Sequence, residues 1–254
     1  MKKRDINLGV DGLSLPGEIH FPKTEKLPCP ALILCHGIPA KKHDPTERGY
    51  EALAERFCGI GFVTMFFNFR GAGLAQGNMD MLGWTRDLKA AIDFLYDLDE
   101  VDKSRLCLLG SSGGGAVSVY VAANDHRVSS LVTFACPADF TFLPSEEYSK
   151  ALIDRFRSIG IIRDADFPAS VEEWLRGFST ISPAKWIDRI SPRPLLLVHG
   201  ALDDIVPAAH AHKLYERAKD PKELIILPGA EHRLRVEEKA ITTALDWFRI
   251  STFN

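Results

Sequence analysis

Apolar runs alternate with amphipathic segments along most of the chain, and this alternation predicts the order of its strands and helices. A continuous apolar run bounded by turn residues is typical of a strand buried on both faces of a parallel sheet. Such runs occur at 31–35, 62–67, 106–109, 128–135, 194–199 and 224–227. Helical patterns lie between or after them at 44–58, 84–98, from 113, 207–218 and 231–248. The first of these helices carries a start signal, with Asp44 as N-cap, Pro45 in the first turn and Glu47 completing a capping box.

Two shorter β-like runs open the chain, at 6–10 and 13–21, joined by Asp11-Gly12. Both joining residues tolerate positive φ, so the pair predicts an antiparallel hairpin. Together with the six buried runs, it predicts an α/β protein with a mostly parallel, eight-stranded sheet and helices on both faces. The 254 residues are expected to form a single domain, 1–254.

The segment 140–191 departs from this alternation. Helical pieces at 145–159 and 171–178 are broken by prolines, with no strand between them, which predicts a small helical cap inserted before the strand that leads to Asp203. Among its aromatic residues, Trp174 and Phe178 are predicted to contact substrate. The alternative is that these rings pack the cap against the core.

The net charge and the cysteines limit the class of function. Lys and Arg number 31 against 34 Asp and Glu, and a net charge of −3 gives no basic surface for nucleic acid. The five cysteines lie mostly in apolar runs and form no C-x-x-C pair, so reduced thiols in a cytoplasmic protein are expected. No run approaches the roughly 20 apolar residues of a membrane span. The basic first residues lack the apolar core of a signal peptide.

Neither a cofactor nor a metal is predicted. The glycine-rich stretch 68–77 has Gln76 where the third glycine of a dinucleotide fingerprint should fall. His210 and His212 lie two residues apart, so on a helix they face different directions and cannot chelate one metal ion.

One short motif combines a buried strand, a tight turn and a helix. Residues 110–114 read Gly-Ser-Ser-Gly-Gly, which matches G-x-S-x-G with Ser112 at the centre. In such a strand-to-helix turn the central side chain is exposed beside the free amides at the start of the helix, and the N–H of Gly113 is placed to bind an oxyanion. The motif alone also fits a glycine- and serine-rich turn without chemistry.

Two later strand ends carry the partners that a serine nucleophile needs. Asp203 follows the strand at 194–199, and His232 follows the strand at 224–227. The carboxyl ends of parallel strands lie at one edge of a sheet, so both residues are expected near Ser112. Asp204 is an alternative acid, although the G-x-x-D spacing favours Asp203.

These motifs resemble those of the α/β-hydrolase superfamily, specifically cytosolic serine esterases and dienelactone-hydrolase-like and prolyl-oligopeptidase-like hydrolases, over essentially the whole chain. The resemblance is carried by His36-Gly37, the Asn-Phe-Arg-Gly-x-Gly loop at 68–73, residues 110–114, His199-Gly200-x-x-Asp203-x-x-Val206-Pro207 and Gly229-x-x-His232. It implies the α/β-hydrolase fold, with Ser112 as nucleophile, His232 as base, Asp203 as the orienting acid, and the amides of Ile38 and Gly113 as oxyanion hole. One departure is Ala75, where such loops often carry Ser, and it bears on the subfamily.

The resemblance implies hydrolysis of a small-molecule carboxylic ester through an acyl-enzyme on Ser112. A peptidase, a thioesterase and an acyltransferase use the same residues, so these activities remain open. A non-catalytic binding protein on this fold is the alternative from a different class.

Overall fold

The computed structural model describes residues 1–24, 26–42, 49–141 and 146–253. Its strands are β1 (Lys2–Val10), β2 (Leu13–Phe21), β3 (Cys29–Cys35), β4 (Val63–Phe67), β5 (Val101–Ser111), β6 (Val128–Phe134), β7 (Leu195–Gly200) and β8 (Lys222–Leu227). Its α-helices are α1 (Gly49–Gly59), α2 (Met81–Tyr96), α3 (Gly113–Asn124), α4 (Glu146–Ser158), α5 (Val171–Thr180), α6 (Ala209–Arg217) and α7 (Glu238–Phe253). Short 3₁₀ turns occupy Pro183–Lys185, Ile187–Arg189 and Leu234–Val236.

The strands form one sheet in the order β1-β2-β4-β3-β5-β6-β7-β8. The pairs β1–β2 and β2–β4 are antiparallel, and every pair from β4 to β8 is parallel. The predicted hairpin turn is present, with φ of 53° at Asp11 and 77° at Gly12. Strands β3, β5, β6, β7 and β8 therefore all end at one edge of the sheet.

Side chains alternate between the two faces of each strand, and helices cover both faces. Leu32 and Leu34 of β3 belong to the apolar layer that contains Phe57 of α1 and Phe248 of α7. Ile33 belongs to the opposite layer, with residues of α2, α3, α5 and α6. The predicted fold class, with an eight-stranded, mostly parallel sheet between helices, is confirmed.

Several predicted boundaries are wrong for identifiable reasons. β1 begins at Lys2, not at residue 6, because its first four residues are exposed and charged and carry no apolar signal. Helix α2 begins at Met81, not at 84, since the Asp80 side chain accepts hydrogen bonds from the amides of Leu82 and Gly83. The last helix begins at Glu238 and not at 231, because the chain after β8 first forms the loop that carries His232. The start signal at 44–47 lies outside the described residues.

The segment 140–191, predicted to be a cap, contains α4, α5 and the 3₁₀ turns Pro183–Lys185 and Ile187–Arg189, and its described residues include no strand. Three of its side chains, Phe156, Trp174 and Phe178, pack in the apolar layer that contains residues of α2 and α3. Among the helices that the structure describes, none is long and apolar enough to cross a membrane.

A buried ion pair fixes the loop that follows β4 to helix α2. Arg70 Nε and Nη2 donate to the Asp87 carboxylate at 3.0 and 2.7 Å, and the Arg70 amide donates to the same carboxylate at 3.0 Å. The Asp87 side chain is fully buried. Burial raises the pKa of Asp87, and the hydrogen bonds from Arg70 oppose this rise. The second contact of Arg70 Nη2, with Asp11, ties the β1–β2 turn to the same loop.

Replacement of Asp87 tests how much this ion pair contributes to the free energy of unfolding. Asp87→Ala is expected to lower the free energy of unfolding by about 3–5 kcal/mol, because it leaves the buried Arg70 guanidinium without its main partner. Urea denaturation followed by circular dichroism measures the change.

Asp93→Ala is the matched control on the same helix, since the Asp93 side chain is 60% exposed and its ion pair with Arg127 lies at the surface. A change of about 0–1 kcal/mol is expected there. Equal losses of unfolding free energy in the two variants would contradict a larger stabilising contribution from the buried pair.

Candidate active site

Ser112 occupies the sharp turn between β5 and α3. Its φ of 51° and ψ of −121° lie in a region that non-glycine residues rarely adopt. The turn is possible because Gly110 and Gly114, on either side of it, have no side chain. A Cβ at Gly110 would lie 2.6 Å from Ser118 Oγ, and one at Gly114 would clash with the carbonyl of His36. The strand, the turn and the helix predicted around Ser112 are therefore all present.

A continuous series of hydrogen bonds links three side chains from different strand ends. Ser112 Oγ lies 3.1 Å from His232 Nε2, and His232 Nδ1 lies 2.8 Å from Asp203 Oδ2. Both distances are within hydrogen-bond reach, as a serine, its base and an orienting acid require. Since the three residues follow β5, β8 and β7, the carboxyl edge of the sheet brings them together.

The Asp203 carboxylate is held by its own loop as well as by histidines. Oδ1 accepts hydrogen bonds from the amides of Ile205 and Val206 at 3.0 and 2.8 Å, and Oδ2 lies 3.2 Å from His199 Nε2. Burial would raise the pKa of Asp203, but hydrogen bonds from His199, His232 and the Val206 amide outweigh it and hold this pKa well below its usual range. Asp203 is therefore ionised at neutral pH and accepts from the Nδ1–H of His232.

Asp204, the alternative acid, is exposed to solvent. His199 lies near the end of β7, and its Nε2 is 2.7 Å from the Val206 carbonyl. Its second contact, with the acid itself, was not predicted. His199 and Asp203 lie four residues apart across a turn. A histidine at this spacing can equally point into solvent, so the sequence alone does not predict the contact.

His36 orients the peptide group between Gly37 and Ile38 through a hydrogen bond to the Gly37 carbonyl. The Phe69 amide donates to His36 Nε2 at 3.1 Å, so the ring proton resides on Nδ1, which donates to the Gly37 carbonyl at 2.8 Å. Burial lowers the pKa of His36 to about 4, which keeps the ring neutral. The rings of Phe69 and Trp84 pack against it, with centroids 5.0 and 5.3 Å away.

This hydrogen bond determines the direction of the Ile38 N–H. The Gly37 carbonyl and the Ile38 N–H belong to one planar trans peptide and point in opposite directions. With the carbonyl turned toward His36, the Ile38 N–H points away from that ring. The nitrogen of Ile38 lies 3.5 Å from the position that a Cβ on Gly113 would occupy, so the two amides assigned to the oxyanion hole are neighbours.

The glycine-rich loop 68–77 is closed by an arginine from the segment 140–191. Arg163 donates through its guanidinium to the carbonyls of Gly71, Gly73 and Ala75. From the sequence alone, an arginine in such a segment is typical of a solvated face or of the charged rim of a pocket. The tight contacts of Arg163 with main-chain carbonyls show a structural role instead, and no local sequence signal points to this long-range pairing.

Trp174 and Phe178, the predicted substrate contacts, are buried with exposures of 4% and 2%. Their rings meet edge to face with centroids 5.1 Å apart, and Trp174 Nε1 donates to the Met79 carbonyl at 2.9 Å. The ring contact lies within α5, and the hydrogen bond joins α5 to the loop before α2. Contact with substrate stays a prediction for both residues.

Within the described ranges, no three or more His, Cys, Asp or Glu side chains are grouped so that they could hold a metal ion. The titratable groups at the carboxyl edge of the sheet instead bond to one another and to main-chain amides. A hydroxyl, an imidazole and a carboxylate bonded in this order are the groups that acyl transfer to a serine requires.

Comparison with known proteins gives the family. A model of the prolyl oligopeptidase family matches residues 54–251. The uncharacterized protein YfhR of Escherichia coli (strain K12) is 31% identical over 171 residues, 67% of this chain and 53% of that protein. The chain thus spans about half the length of the YfhR relatives that it matches.

Two solved structures share the fold. The α/β hydrolase GrgF from Penicillium sp. sh18 has a TM-score of 0.77 at 21% identity, with all of both chains covered. The esterase domain of a Rhodothermus marinus protein has a TM-score of 0.68 at 20% identity, covering 99% of this chain and 100% of that one. With the family model matching more than half of its length, the chain belongs to the prolyl oligopeptidase family and has the α/β-hydrolase fold.

Proposed function

We propose that the protein is a serine hydrolase that cleaves small carboxylic esters through an acyl-enzyme on Ser112. The observation that carries this proposal is the hydrogen-bonded series from Ser112 through His232 to Asp203, with distances of 3.1 and 2.8 Å. The strained backbone at Ser112 supports it, because such conformations persist where the surroundings require an exposed nucleophile. A pure binding protein would have no need of this geometry.

In the proposed reaction, Ser112 Oγ attacks the ester carbonyl carbon while His232 Nε2 takes the hydroxyl proton. The carbonyl oxygen becomes an oxyanion that accepts hydrogen bonds from the N–H groups of Ile38 and Gly113. The bond to the alkoxy oxygen then breaks, and His232 returns the proton to the departing alcohol. Water repeats the sequence on the acyl-enzyme, with His232 as base, and releases the acid and the free serine.

Asp203 acts through His232 and not on the substrate. Its carboxylate accepts from Nδ1–H, which leaves Nε2 of the ring free to accept the serine proton. The carboxylate also stabilises the imidazolium that forms during attack. The amides of Ile205 and Val206 keep it in place while that charge appears and disappears.

Peptide hydrolysis is the second candidate, and membership of the prolyl oligopeptidase family favours it. Esters come first because an alcohol leaves more readily than an amine, so residues able to acylate from an amide also acylate from an ester. A kinetic panel of matched esters, thioesters and aminoacyl amides separates the activities.

We further infer a reducing, cytoplasmic location, since all five cysteines are buried and unpaired.

Ser112→Ala should abolish both labelling by a fluorophosphonate probe and hydrolysis of p-nitrophenyl acetate, because it removes the nucleophile. The expected fall in kcat is on the order of 10⁴- to 10⁶-fold. Gel fluorescence and absorbance at the nitrophenolate band measure the two losses. Ser111→Ala is the control, since Ser111 precedes the turn, and it should keep the labelling. Unchanged turnover in Ser112→Ala would contradict the proposal.

Asp203→Asn should lower kcat by about 10³- to 10⁴-fold, because the amide can donate to the ring and so favours the wrong tautomer. Steady-state kinetics with circular dichroism as a folding check measures the effect. Asp204→Asn, at the exposed neighbouring position, should change kcat by less than about twofold. A large effect of Asp204→Asn, without one at position 203, would move the role of the acid to Asp204.

His36→Leu should lower kcat by about 10- to 100-fold with little change in KM, since the Gly37–Ile38 peptide loses the hydrogen bond that orients it. His36→Asn keeps a side-chain N–H donor near the position of Nδ1 and should restore part of kcat. The ratio of kcat between the two variants is the measurement. Equal losses in both would show that His36 acts only through packing.

A further inference from the structure

A cavity of about 470 Å³ lies between the end of β6, helix α5 and helix α6. Its apolar wall comes from Phe140, Leu175 and Phe178. Its polar side is lined by Asp139, Thr141, Ser179, Ser182, Lys185, Lys213 and Arg217. None of the described residues that line it is Ser112, Asp203 or His232, so the cavity is separate from the hydrogen-bonded series of the active site.

Among the described residues that line this cavity, cationic side chains outnumber carboxylates. Lys213 Nζ lies 2.5 Å from Asp139 Oδ2, and this pair is complete. Burial would raise the pKa of Asp139, but its hydrogen bonds with Lys213 and Thr141 lower this pKa to about 2, so the carboxylate stays charged beside Lys213. Three cations thus accompany one carboxylate in the described lining of the cavity.

The two other cations are held by main-chain oxygens. Lys185 Nζ donates to the Ser179 carbonyl at 2.6 Å and to Ser179 Oγ at 3.2 Å, and Arg217 Nη1 donates to the Ala184 carbonyl at 3.1 Å. In the part of the chain that the structure describes, neither forms a salt bridge with a carboxylate. The carbonyls hold both side chains in place but do not neutralise their charges, and most of the guanidinium donors remain available.

We propose that this cavity binds a small carboxylate with an apolar tail. The tail would pack against Leu175 and the exposed edge of Phe140, and the carboxylate would lie between Lys185 and Arg217. Its volume falls within the range of small-molecule sites, where a mainly apolar wall and a few polar groups set orientation. The planar fork of Arg217 matches a carboxylate.

A single negative charge fits better than a double one. Asp139 lines the same cavity as these two cations, and its carboxylate, although paired with Lys213, would still oppose a second negative charge on the ligand.

Leu175 is the half-buried member of the apolar wall, and the rings of Phe140 and Phe178 pack edge to face behind it with centroids 5.3 Å apart. With exposures of 8% and 2%, these rings add little surface of their own, so the wall suits one aromatic ring or a short chain. The proposal does not depend on Ser112 acting as a nucleophile.

Isothermal titration with 3-phenylpropionate tests the site, with 3-phenylpropanol as the neutral analogue of equal shape. We expect saturable binding of the carboxylate that weakens as salt is raised, and at least about tenfold weaker binding of the alcohol. The double variant Lys185→Gln/Arg217→Gln should lose at least about tenfold in affinity for the carboxylate. Lys219→Gln is the matched control, because Lys219 is 68% exposed and does not line the cavity, and it should bind as the parent protein does.

Three results would overturn the proposal. They are absence of saturable binding, unchanged binding in the double variant, and loss of binding after a fluorophosphonate has labelled Ser112, which would place the ligand in the active site. Tighter binding of phenyl phosphate than of 3-phenylpropionate would overturn the choice of a singly charged carboxylate. Failure of ester turnover in the parent protein would contradict the proposed function and leave the binding result standing.

Discussion

The close approach of backbone segments around Ser112 is the constraint on which the site depends. The first turn of α3 contacts the end of β3, where the missing Cβ of Gly114 makes room for the His36 carbonyl. The same contact brings Gly37 against Ser112, since a Cβ on Gly37 would lie 2.9 Å from that of the serine. The loop that carries Ile38 and the turn that carries Ser112 are thus positioned by one another. Any side chain between them would move both.

Hydrogen bonds to main-chain groups then orient the side chains of Asp203 and His36. Asp203 is held by two amides of its own loop, and His36 is held between the Phe69 amide and the Gly37 carbonyl. Buried polar groups that are fully bonded in this way have few alternative positions. Arg70 and Asp87 extend the same principle outward, because they fix the loop whose Phe69 amide contacts His36. The orientation of the Ile38 amide therefore depends on a carboxylate in helix α2.

The fold was predictable because its main signals are local. Continuous apolar runs mark the buried strands, and glycines and prolines mark their ends, so the sheet could be derived from short stretches of sequence. The proximity of Ser112, Asp203 and His232 could also be anticipated, since each follows a strand whose carboxyl end lies at the same edge. The contacts of Arg163 with the loop 68–77 and of His199 with Asp203 could not. They depend on which arginine or histidine reaches a given oxygen in three dimensions, and no periodicity encodes that.

The exposed charges of β1 have a consequence for the outer edge of the sheet. Among the strands that the structure describes, β1 pairs with β2 alone, and an unpaired strand edge is a template for another chain. Its first four residues are Lys, Lys, Arg and Asp, all exposed, and Lys3 is further occupied by Glu51 and Glu55 of α1. The backbone of a ninth strand would lie beside these charged side chains, and its pairing with β1 would displace part of their hydration water. These exposed charges therefore disfavour the addition of a further strand at β1 and lower the tendency of this edge to β-aggregation.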